Sequence, residues 1–231
     1  MIDPFRLCLA LGPVAVYLLL VAMLNSFRRP FLVSGTRDAA ALGLAVSGLV
    51  LVGPMELFVP VPALIAFGPY IWVLVISLYV LCLVLTLLVE RPRLVIYNIS
   101  PDELRPVLAD LVHELDAEAR WAGDSLFLPS LGVQLQLEGP SPMRNVSLLA
   151  IGSKQNHPGW RKLELALRGA LGEMEVPRNS RAISLFSAGL LLSLGLVLVI
   201  SRDPQSVTQA LATVGRAVVE ILPWVEKVLP L

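Results

Sequence analysis

Glu56 is the one acidic residue flanked on both sides by apolar sequence, in Gly53-Pro54-Met55-Glu56-Leu57-Phe58. A carboxylate inside lipid is costly to keep, and where one occurs it tends to serve proton or cation movement. No second intramembrane charge is available as its relay partner. It also follows Asp38 by 18 residues, so a helix begun there would carry it to the far headgroup layer. The preferred reading is a hydrated interfacial carboxylate, and the alternative is a small transporter or channel component that uses Glu56.

Asp110, His113 and Glu114 have the i, i+3, i+4 spacing that lets helical side chains converge on a metal. His113 lies about 200° around the helix from Leu111, and the chain's other histidine is His157. A solvated helix face accounts for the three better, so no metal site is expected. Cys8 and Cys82 each sit in an apolar run and read as small hydrophobes rather than ligands or disulfide partners. Phosphate-loop, dinucleotide-loop, metalloprotease and Gly-x-Ser-x-Gly signatures do not occur. Neither a catalytic residue nor a cofactor is expected. Asn98-Ile99-Ser100 and Asn145-Val146-Ser147 match the glycosylation sequon, but both fall at expected strands and are read as coincidences.

Two further groups could act through binding. Arg28, Arg29, Arg91, Arg93, Arg161, Lys162, Arg168, Arg178 and Arg181 are candidates for anionic lipid headgroups, although the positive-inside bias of membrane proteins explains most of them without a ligand. Gly43, Ser47 and Gly48, and Ala188, Gly189, Ser193 and Gly195, provide the small surfaces that let helices approach closely in lipid. They could pack within this chain or against another subunit.

The elements that must position these groups are set by composition. Hydrophobic residues make up 56% of the 231 and charged residues 16%, with a mean hydropathy of +0.75, which marks an integral membrane protein. Eighteen basic and eighteen acidic residues cancel, which argues against nucleic acid as a partner. Leu7 to Phe27 is 21 residues without a charge, about 30 Å as a helix and enough to cross a bilayer. A cleaved signal peptide is disfavoured because the run is long and leads into Arg28 and Arg29 rather than a small-residue cleavage site. Further spans are expected at 39–56, 69–89 and 182–201, with Pro13 kinking the first, Pro69 in the first turn of the third, and an ordered loop at 56–68.

Residues 91–181 change character, with eleven basic and eleven acidic residues, and are expected to face water as a small α+β domain. Leu94 to Ile99 reads as an inner strand. Ser100-Pro101-Asp102-Glu103 is a capping box opening a helix to about Asp116 with Leu104, Leu108, Leu111 and Leu115 inward. Gly123-Asp124 closes a hairpin, residues 131–138 alternate as a half-buried strand, and residues 146–151 form another. Pro158 opens a helix to about Glu173 whose inner face is Trp160, Leu163, Leu167, Ala170 and Leu171. The expected order is β-α-β-β-β-β-α.

After the fourth span, Asp203-Pro204 caps an amphipathic helix striped by Val207, Leu211, Val214, Val218 and Ile221, with Gln209, Thr213, Arg216 and Glu220 opposite. It is expected to lie on the membrane, to end at Pro223, and to place Trp224 and Lys227 in the interface. Arg28, Arg29 and Arg37 between the first two spans, and the arginines flanking residues 91–181, put that domain in the cytoplasm and both termini outside. Heavy use of arginine over lysine suggests a GC-rich genome and hence a bacterial inner membrane. Charge-poor spans and a folded domain without a clustered constellation lead to a functional expectation. The protein is a non-enzymatic scaffold or accessory subunit whose partners are the lipid bilayer and other membrane subunits or a second copy, with a membrane-bound enzyme as the third choice.

Overall fold

Apolar length sets the first level of organisation. In the computed structural model, which describes residues 3–55, 61–139, 144–152 and 155–228, four helices are long and apolar enough to cross a membrane. These are α1 (Pro4–Ser26), α2 (Gly35–Val50, extended by a π-helical turn over Leu51–Met55), α4 (Tyr70–Val89) and α7 (Arg181–Arg202). A short α3 (Val61–Phe67) precedes α4, where a loop was expected. α1 runs through Pro13 as one helix. Leu74, Leu191 and Leu198 are more than half exposed, a surface suited to hydrocarbon rather than water. Glu56 lies outside the described residues.

The chain divides into two compact units. The first comprises Met1–Leu18, Leu42–Leu88 and Ser187–Leu231. Within it, a Cβ on Gly48 would stand 1.9 Å from the Leu9 carbonyl oxygen, and one on Gly43 2.4 Å from a Leu83 methyl. The Tyr79 hydroxyl donates to the Gly43 carbonyl at 2.6 Å. Two of the seven small residues thus mark close helix approaches. Gly189 is buried but Ala188 is exposed, Ser47 and Ser193 bond back to their own helices at Leu44 and Gly189, and Gly195 faces open space. Gly48→Ala should therefore destabilise the detergent-solubilised protein by about 1–3 kcal/mol through overpacking, whereas Gly195→Ala should not. Equal melting temperatures for the two variants would remove the α1–α2 contact from the account.

The second unit, Leu19–Ala41 with Val89–Phe186, holds the sheet. Its elements are β1 (Phe31–Ser34), β2 (Arg93–Tyr97), α5 (Pro101–Leu115), β3 (Arg120–Ala122), β4 (Ser125–Leu128), β5 (Val133–Glu138), β6 (Val146–Ala150) and α6 (His157–Glu173). The six strands run in the order β1-β2-β6-β5-β4-β3, antiparallel throughout. Period-two alternation puts Leu94, Ile96, Leu126, Leu128, Val133, Leu135, Val146 and Leu148 on one face. They form a single core with Leu104, Leu108 and Val112 of α5 and Trp160, Leu163, Leu167 and Leu171 of α6. Val112 takes a central place, and Leu111 and Leu115 flank it. Gly123, at φ +63°, makes the β3–β4 turn that a side chain would strain.

Two features depart from the sequence reading. The sheet has one more strand than residues 91–181 supply: β1, from the connection between α1 and α2, pairs with β2 from Phe31↔Tyr97 to Ser34↔Leu94 and contributes Leu32 to the core. The C-terminal helix α8 (Pro204–Val228) continues past Pro223. One proline removes a single intrahelical donor, and the hydrogen bonds on either side can carry the helix through.

Candidate functional site

The polar chemistry of the sheet unit collects where helix ends meet strands. Asp38 lies in the first turn of α2, where the helix dipole favours a carboxylate. It accepts from Arg93 Nη2 at 3.4 Å and from the Tyr97 hydroxyl. Arg93 and Tyr97 are four residues apart on β2 and so share the sheet face opposite the core, with Val95 between them. Gly35 leaves room for this, since a Cβ there would meet Arg93 Cγ at 2.0 Å.

Beyond β2, Asn98 takes φ 62°, a left-handed conformation that asparagine tolerates. It is fully buried and donates its amide to the Phe27 carbonyl at the end of α1. Its burial rules out glycan attachment at that sequon. Val176 N–H donates to the Arg28 carbonyl at 2.8 Å, and the buried Asn179 donates to Asn25 Oδ1 at 3.4 Å. Glu103 completes the expected capping box with Ser100, and both of its carboxylate oxygens also accept from Arg144 Nη2, at 2.6 and 2.7 Å.

Asp116, at the C-cap of α5 and 3% exposed, accepts from the Ser130 amide and hydroxyl at 2.8 Å each and from the Glu118 amide at 3.0 Å. Burial opposes the charge on Glu103 and Asp116. The donors prevail, Ser100 and Arg144 at the first and Ser130, Glu118 and Leu131 at the second, and hold both carboxyls below their ordinary range. A folded-state value below the unfolded one contributes stability above the unfolded pKa that is lost as pH falls through the folded value. Thermal stability should accordingly hold from neutral pH to about 5 and then decline. Asp116→Asn should be less stable at pH 7, with its deficit shrinking as the pH drops. A deficit that stays constant across that range would mean that the charge on Asp116 is not what the turn uses.

The structure separates the sequence candidates. Arg93 is committed to Asp38, and Arg168 pairs with Glu164 at 2.9 Å. Arg161, Lys162, Arg29 and Arg91 are exposed, and the Arg181 amide bonds Asn179 Oδ1. Arg28 and Arg178 are brought together: they line an open cavity of about 470 Å³ with Glu175, Val176 and Pro177. Asp110, His113 and Glu114 are all exposed, and no cluster of three His, Cys, Asp or Glu residues able to hold a metal occurs among the described residues. Sequence reasoning missed Asn25, Asp38, Tyr97, Asn98 and Asp116 as joining groups. Asn25, a polar residue closing an apolar span, was the one visible signal.

No known protein family, curated protein or solved structure matches this chain.

Proposed function

We propose that the protein is a membrane-embedded scaffold or accessory subunit that carries its sheet unit as a cytoplasmic platform, with both termini on the other side and α8 lying on the outer surface. The observation that supports this most is the β1–β2 ladder. It makes the connection between two apolar helices part of the sheet. The neighbouring polar groups act the same way. Asp38, Asn98, Asn179 and Val176 each take part in a bond between a sheet-unit segment and the end turn of an apolar helix or the residues just after it. A sheet with its own packed core suits a protein that positions partners, since ordering losses on association are smaller when the surface is already formed. The sheet face opposite the core keeps Phe127 and Phe31 nearly half exposed, at 44% and 47%, on that platform.

The reading is tested on the full chain extracted in mild detergent. Native mass spectrometry should return an assembly of fixed stoichiometry, with a second copy or with another membrane chain, and a photo-crosslinker at Phe127 should capture that same component. A monomer that, in proteoliposomes, carries an ion or proton flux abolished by Glu56→Gln would replace the scaffold with a transporter.

A further inference from the structure

We infer that Arg28 and Arg178 form a binding site for the phosphate of an anionic lipid headgroup. The two residues are far apart in sequence and are joined by the chain's own hydrogen bonds. Residue 28 follows the end of α1, residue 178 precedes α7, and the Val176 amide donating to the Arg28 carbonyl at 2.8 Å seats one segment on the other. The Asn179–Asn25 contact at 3.4 Å fixes the same crossing one turn away.

Both arginines line the 470 Å³ cavity, a volume in the range of small-molecule sites. Among the described residues neither has a carboxylate partner, in contrast to Arg93, Arg105, Arg144 and Arg168, which are all paired. Glu175 also lines the cavity and makes no ion pair with either, so the lining charge is two positive against one negative. Planar guanidinium forks match phosphate oxygens in pairs, which a lone ammonium does not.

The same chemistry would suit a free phosphate. Position favours the lipid. Arg28 lies two residues beyond the 23-residue apolar α1, and Arg178 three residues ahead of the 22-residue apolar α7, which is the headgroup level if these helices cross the bilayer. The lipid source therefore rests on the membrane reading above.

The test uses the full chain in a neutral detergent, with lipid adducts counted by native mass spectrometry. Phosphatidylglycerol should be retained over phosphatidylcholine of equal chain length by about 25-fold, about fivefold from each arginine. The double variant Arg28→Ala, Arg178→Ala should lose the preference, Glu175→Gln should strengthen it several-fold, and Arg29→Ala, next in sequence to Arg28 but outside the cavity's lining, should keep it. Equal retention of the two lipids, or an equal loss in Arg29→Ala, would overturn the site. In a separate arm inorganic phosphate is added; displacement of phosphatidylglycerol by sub-millimolar phosphate would overturn the lipid as the ligand. Alkaline carbonate washing of membranes separates the two failures. A washed-off protein sinks the membrane reading, and a retained protein without the lipid preference sinks the headgroup site alone.

Discussion

In a chain whose Cys8 and Cys82 are replaced by alanine, a cysteine at Glu114 should stay unmodified by a membrane-impermeant thiol reagent until the cells are permeabilised. A cysteine at Gln205 should react at once. Both positions are exposed, on α5 and α8, so access alone decides. Residues 31–34 and 94–97 are hydrogen-bonded partners, so the chain leaves the sheet at Gly35 and returns to it at Arg93 on the same side of any membrane. Among the described residues between them, two helices are long and apolar enough to cross, Gly35–Gly53 and Tyr70–Val89, an even number, as the return requires if both span. α7 follows the sheet unit, and on the proposed topology it crosses once more, which puts α8 on the other side. On the proposed orientation, Arg28, Arg29 and Arg37, close to β1 in the chain, set the sign by the positive-inside bias. The reversed pattern would invert the orientation. Labelling of both cysteines from outside would mean that α7 does not cross.

How much of this was legible in the sequence follows from which signals are local. The apolar runs, the Ser100–Glu103 capping box, the Gly123 turn and the alternation of residues 133–138 are each complete within a few residues, and the structure has an element at each. β1 was not legible, because Phe31 to Ser34 is only four residues long and adjoins a longer apolar helix that dominates any pattern. Its pairing partner is some sixty residues away, and the bounding Pro30 and Gly35 were its sole local marks. The joining groups share that difficulty. Asp38 reads as an ordinary helix-start acid until Arg93 and Tyr97 arrive from β2, and Asp116 as a helix end until Ser130 folds onto it. The basic candidates were many for the same reason: nothing local distinguishes Arg93, which is paired with Asp38, from Arg178, which has no carboxylate partner among the described residues.

Two identical substitutions in one helix should move stability in opposite directions. Gly159→Ala is expected to destabilise the sheet unit by about 3 kcal/mol, and Gly169→Ala to stabilise it by about 0.5–1 kcal/mol. Gly159 sits in the first turn of α6, where a Cβ would stand 2.1 Å from the Leu131 carbonyl oxygen and 3.0 Å from a Val133 methyl. That carbonyl belongs to a turn that cannot easily retreat. Asp116 holds the Ser130 amide and hydroxyl, Gly132 N–H donates to Pro129, and Asn156 N–H donates to Gly132. The remaining escape is for α6 to lift, and α6 carries Trp160, Leu163, Leu167 and Leu171, all buried in the core. Gly169 is exposed further along α6 with nothing within 4 Å of a new Cβ, so alanine there only reduces the freedom of the unfolded chain and improves helix propensity. Trp160, 6% exposed with its indole N–H on Gln155 at 2.7 Å, provides the fluorescence change on denaturant unfolding of the full chain in detergent. A neutral Gly159→Ala would show that α6 does not press on the 129–132 turn.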